Sequence, residues 1–189
     1  SREEFQSGLV ASTMWMLSGK TTSGVTSEHW DNIDTSSEHL FLSNHRDIIL
    51  DAGFLNILRD KHGFKTTEIA IGDNLLIHPW IEKLVRVNKS FLVRRGLGVR
   101  EQLIASKHMS EYIHYAITQK KESVWMAQRE GRAKDSDDRT QISLLKMLAL
   151  YPEKTPFLDC IKDLNIIPIS ISYEYDPCDY LKAKEFQLK

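Results

Sequence analysis

His45 and two nearby acids, Asp47 and Asp51, stand where a strand-like run over residues 39–42 gives way to an apolar helical pattern. An imidazole titrates near neutrality, so one held at such a junction can take a proton from an attacking hydroxyl. A carboxylate beside it fixes the ring tautomer and stabilises the imidazolium as it forms. Asp47 suits the cap of the helix that follows, where its oxygens would meet exposed backbone N–H groups. Asp51 lies one turn further on and can point back toward the loop. Asp51 is therefore favoured as the partner of His45, with Asp47 as the alternative. The bland alternative is that His45 closes a strand and both acids serve the helix terminus.

Three later segments carry polar groups next to apolar strands. Phe91-Leu92-Val93-Arg94-Arg95-Gly96 follows Gly72-Asp73-Asn74-Leu75 and sets two arginines side by side. Planar guanidinium donors bind phosphate oxygens as a fork. Adjacent strand residues point to opposite faces, so only one of the pair faces a site unless the strand breaks before Gly96. Glu130-Gly131-Arg132 follows the apolar run 124–127, and Gly131 would allow close backbone approach to a ligand. Ile167-Pro168-Ile169-Ser170-Ile171-Ser172-Tyr173-Glu174 reads as a buried strand in which Pro168 shapes the chain rather than reacting.

In this order the four segments resemble the glycerolipid acyltransferase family, which includes glycerol-3-phosphate and lysophosphatidate acyltransferases; the resemblance spans about residues 37–176. The family pattern places four residues between His and Asp, whereas five separate His45 from Asp51, and Arg129 stands where the family often has Pro. The resemblance implies a catalytic pair of His45 and Asp51 and an acceptor site of Arg94, Arg95, Glu130, Gly131 and Arg132. Lys134 and Arg139 are auxiliary phosphate candidates. It further implies transfer of a fatty acyl group from acyl-carrier protein or acyl-CoA to a hydroxyl of glycerol-3-phosphate or lysophosphatidate, with no cofactor beyond the thioester donor. The alternatives are another hydroxylated lipid acceptor or a non-catalytic lipid- or phosphate-binding module. A covalent route through Cys160 or Cys178 is the chemical rival. His45-Arg46-Asp47 also begins a protein-kinase catalytic loop, but Ala52 occupies the place of its metal-binding Asn and no glycine-rich nucleotide loop is present.

Composition narrows the field. At 189 residues the chain can bury roughly 70% of its unfolded surface, enough for one core without disulfides. Two cysteines without Cys-x-x-Cys spacing fit a reducing cytoplasm. A net charge of −1 argues against a nucleic-acid partner. No apolar run nears the length of about 18 residues expected of a membrane span, and no signal-peptide pattern opens the chain. Starting at Ser1 rather than Met, the chain reads as a candidate excised piece. A cytoplasmic protein that meets the inner face of the cell membrane from its surface is the expectation, and Ile77-His78-Pro79-Trp80 is a candidate contact. The other six histidines form no helical metal pair, so no metal is predicted.

The periodicity predicts helices over 3–17, 28–33, 47–61, 79–87, 99–119 and 141–150, and strands over 39–42, 68–71, 89–93, 123–127 and 166–173. In the first helix Phe5, Leu9 and Met16 share a face, and in the longest Val99, Leu103, Ile113 and Ile117 share a buried stripe. Residues 130–139 read as a loop, with 135–138 as exposed charge. The expected fold is α/β, a single mixed central sheet flanked by helices, in one domain of 1–189: an N-terminal helical and loop region, 1–36, and a motif-bearing core, 37–176.

Overall fold

Strands of three to five residues alternate with helices, and parallel pairing of such strands needs the crossover connections that those helices supply. A computed structural model of the chain describes residues 1–134 and 137–188. Helical turns at Arg2–Glu4 (α1), a wide π-type stretch at Phe5–Val10 and Ala11–Thr21 (α2) run on continuously. They are followed by β1 (Leu40–Ser43), α3 (Leu50–Lys61), β2 (Glu68–Gly72), α4 (Pro79–Val87), β3 (Ser90–Val93) and α5 (Val99–Tyr115). After β4 (Val124–Ala127) come α6 (Ile142–Leu148), α7 (Phe157–Lys162), β5 (Ile167–Ile169) and α8 (Asp179–Gln187). The sheet order is β3-β2-β4-β1-β5.

The expected α/β class and single helix-flanked sheet are present; the strands, expected as a mixed set, are all parallel in their pairings. The reason lies in the connections, each of which carries a helix back to the starting edge of the sheet. Burial on both faces follows the two-residue period. Leu40 and Leu42 of β1 join Val124 and Met126 against Ile113 of α5 and Ala116 and Ile117 in the wide π-type turns that continue it. Phe41 points the other way, with Ile69 and Trp125, onto Ala52 and Leu55 of α3. Outside α3, Ala11 and Met14 of α2 pack on Phe54, Ile57 and Leu58.

Two predicted apolar faces are placed differently. Ile113 and Ile117 are buried, but Val99 is 92% and Leu103 57% exposed. The 17 residues of α5 span about 26 Å, while a four-residue strand such as β3 covers about 13 Å, so the first turns overhang the sheet. In the first helix Leu9 and Met16 face outward and Gln6, Ala11, Met14 and Ser18 inward. The wide turns at Phe5–Val10 rotate the face away from the one a regular period gives.

The predicted strand over 166–173 is also cut to Ile167–Ile169. β1 turns away after Ser43, and the Asn44 side chain takes over as partner: its amide donates to the Ile171 carbonyl at 2.8 Å and its oxygen accepts the Ile171 N–H at 2.7 Å. Pro168, which lacks a donor, sits in this edge strand.

Candidate active site

Parallel strands deliver their following loops to one edge of the sheet, where ligands of such folds bind. The loops after β1, β2, β3 and β4 surround a cleft of about 990 Å³ lined by His45, Gly72, Arg94, Arg95, Glu130, Gly131 and Arg132, among others.

The loop after β1 builds the pair. α3 begins at Leu50, three residues later than expected, because Asp47 holds a turn ahead of it: its Oδ1 accepts the N–H groups of Ile49 and Leu50, each at 2.9 Å. Asp51 then sits in the first turn of α3 and points back. One of its oxygens, Oδ2, accepts His45 Nδ1 at 3.0 Å and the N–H groups of Arg46 and Asp47 at 2.8 and 3.0 Å. The other accepts the Tyr173 hydroxyl at 2.9 Å. A carboxylate that is 0% exposed thereby meets four donors, which offsets its loss of water. The geometry puts Asp51, not Asp47, against the imidazole. Burial first, then the charge of Asp51, pushes the Tyr173 hydroxyl well above its ordinary range, so it remains a donor.

Since a carboxylate only accepts, His45 Nδ1 carries the hydrogen and Nε2 is left to take a proton. The ring is 14% exposed and meets Trp125 edge-on at 6.1 Å between centroids. Its backbone is held as well: the His45 N–H donates to Asp138 Oδ2 at 3.0 Å, and its carbonyl accepts the Ala133 N–H at 2.8 Å. The Asp138 side chain is thus only 9% exposed, against the expectation of exposed charge there; Asp137 does pair with Arg139 at the surface, and Asp135 and Ser136 lie outside the described residues.

The opposite wall carries the cations. β3 ends at Val93, before the arginines, and the chain turns at Gly96 with φ of 67°, so both Arg94 and Arg95 reach the cleft. Arg95 lies across the end of β2, where a Cβ on Gly72 would come within 2.7 Å of its Nε. Its Nη1 meets Glu130 Oε1 at 3.2 Å. Gly131 has φ of 73°, a conformation that admits glycine readily. Open space surrounds its Cα: no protein atom lies within 4 Å of a Cβ built there. Lys134 lines the cleft and pairs with Glu185, whereas Arg139 is not among the lining residues. Neither cysteine lines the cleft; Cys160 is buried, which pushes its thiol up, and Cys178 is exposed. Among the described residues no group of three His, Cys, Asp or Glu side chains could hold a metal ion.

Sequence reasoning missed Tyr173, Asn44 and Asp138 as parts of this site. Tyr173 had a signal in its place in the fourth motif and Asn44 in its place directly before His45; the bonds of Asn44 and Asp138 reach 127 and 93 residues along the chain.

A parallel α/β sheet carries an imidazole, a buried acid and guanidinium groups together at its carboxyl edge. The acyltransferase family model matches residues 24–172, and the chain belongs to that family, the glycerolipid acyltransferases. No curated protein matches the chain.

Proposed function

We propose that the chain, acting as one domain, moves a fatty acyl group from an acyl-carrier-protein or coenzyme A thioester to a hydroxyl of glycerol-3-phosphate or lysophosphatidate. What supports this most is that His45, backed by Asp51, lines the same cleft as Arg94, Arg95 and Arg132. His45 Nε2 takes the acceptor's hydroxyl proton as the oxygen attacks the thioester carbonyl. Collapse of the tetrahedral intermediate expels the thiolate, which receives that proton from the imidazolium. The arginines hold the phosphate, and Glu130 steadies Arg95. A hollow of about 480 Å³ beside α5, lined by Phe91, Leu97, Ile104 and Met109, adjoins the cleft at Arg94 and offers apolar room for a chain.

Contact with the inner face of the cell membrane belongs to the same proposal. Among the described residues no helix is long and apolar enough to cross a membrane. α4 instead exposes Trp80, Leu84 and Val87 on one side, with Ile77 just before it and Lys83 beside them. An exposed apolar stripe with Trp and nearby cations suits an anionic interface. Trp80→Asp is expected to release the protein from sedimenting anionic vesicles; undiminished pelleting overturns this contact.

The test of the reaction is product formation from acyl thioester and a panel of acceptors, with and without phosphate. His45→Ala is expected to lower kcat by about 10² to 10⁴-fold with acceptor KM retained. Equal turnover in this variant removes the mechanism, and an acyl-enzyme trapped with thioester alone would favour a cysteine route.

A further inference from the structure

The match to the family ends at residue 172, yet the chain beyond it returns to the loop that carries His45. Tyr173 donates to Asp51 Oδ1 at 2.9 Å. Asp176 spans two cations, accepting Arg46 Nε at 3.1 Å on one oxygen and Lys182 Nζ at 2.8 Å on the other. Lys182 also donates to the carbonyl of Arg46 at 2.6 Å. From these contacts we propose that residues 173–188 form a clamp in which Tyr173, Asp176 and Lys182 are positioning residues for the His45–Asp51 pair, a role that rests on the acyl-transfer function proposed above.

The contacts converge on one residue of backbone. Arg46 follows His45 directly; its N–H is held by Asp51 and its C=O by Lys182, so its main chain is fixed on both sides. The Lys182 side chain is only 4% exposed. A buried ammonium is costly unless it is paired and hydrogen-bonded, and here both of its identified partners belong to, or bind, Arg46. Tyr173 works from the other side. Asp51 gives one oxygen to His45 and the other to Tyr173, so the hydroxyl sets the rotation of the carboxylate and, through it, the imidazole. The Tyr173 ring itself is steadied against Phe54 at 6.3 Å between centroids. The far end of α8 reaches the cleft too, where Phe186 lines the wall and Glu185 pairs with Lys134.

The experiment compares Tyr173→Phe and Lys182→Met in the full chain with the wild type, measuring kcat and acceptor KM in the acyl-transfer assay. Loss of one hydrogen bond to a charged group is expected to lower kcat about tenfold while acceptor KM stays within about twofold. Tyr180→Ser, on an exposed position of α8, is expected to keep wild-type kcat. If Lys182→Met does not fold, Tyr173→Phe carries the test alone, since it removes only a hydroxyl and keeps the ring. A wild-type kcat in Tyr173→Phe, or a fall in kcat matched by an equal rise in KM, overturns the clamp. Absence of transfer in the wild type would instead remove the function on which it rests.

Discussion

The two walls of the cleft are built in opposite ways. On the His45 wall the groups that hold the base are already engaged: the imidazole Nδ1, both Asp51 oxygens and the N–H groups of residues 45–47 all have protein partners, although the buried Oδ1 of Asp138 has no hydrogen-bond partner among the described residues. On the arginine wall Arg94 and Arg132 carry no hydrogen bond or ion pair among the described residues, and the buried Nε of Arg95 has no hydrogen-bond partner there. The contrast follows from what each wall must do. Proton transfer tolerates little error in the position of a base, so the fold fixes the base before substrate arrives. A guanidinium already saturated by protein acceptors would have to exchange them for phosphate, so donors left open favour the ligand.

The strongest way to break the comparison is to disturb the filled wall at its centre. Asp51→Asn keeps the shape but turns an acceptor of four hydrogens into a group with donors of its own. An amide nitrogen facing the Arg46 and Asp47 N–H groups loses their hydrogen bonds, and an amide oxygen there leaves the Tyr173 hydroxyl facing the nitrogen. A loss of about 1 to 3 kcal/mol in stability is expected, read from denaturant unfolding. A fall in kcat of about 10² to 10⁴-fold is expected alongside it, because the ring loses its orienting acid. Unchanged kcat in a folded Asp51→Asn protein would mean that the rigidity of this wall serves the fold and not the chemistry.

How legible each wall was in the sequence differs for the same physical reason. The strands and most helices could be read because apolar periodicity is local. The pairing of Asp51 with His45 was also within reach, since a residue in the first turn of a helix points back toward its N-terminus. The rest of the filled wall was not, because Asp138, Ala133, Tyr173 and Asn44 act across long stretches of chain through backbone and side-chain bonds that leave no spacing behind. Both arginines at the cleft were uncertain from sequence, since their facing depended on where β3 stops. The overhang of α5 was hidden too: a helix can keep its apolar stripe past the end of the sheet that would cover it, as Val99 and Leu103 do.

A smaller effect is expected from the open wall, and of a different kind. Among the described residues Arg132 has no hydrogen-bond or ion-pair partner to abandon, so Arg132→Ala should leave the thermal midpoint within about 2 °C of the wild type. Its loss should appear as acceptor KM, raised about 10- to 100-fold for the one or two charge-assisted bonds that a phosphate would make, with kcat within about threefold. The effect should shrink for an acceptor that lacks phosphate and as ionic strength rises, because part of the attraction is screened. Arg95 offers the internal contrast: already tethered to Glu130 at 3.2 Å, its replacement by Ala should cost less in KM than that of Arg132. If Arg132→Ala instead lowers kcat and leaves KM alone, that guanidinium acts on the transition state, and the division between a wall that positions and a wall that binds would no longer hold.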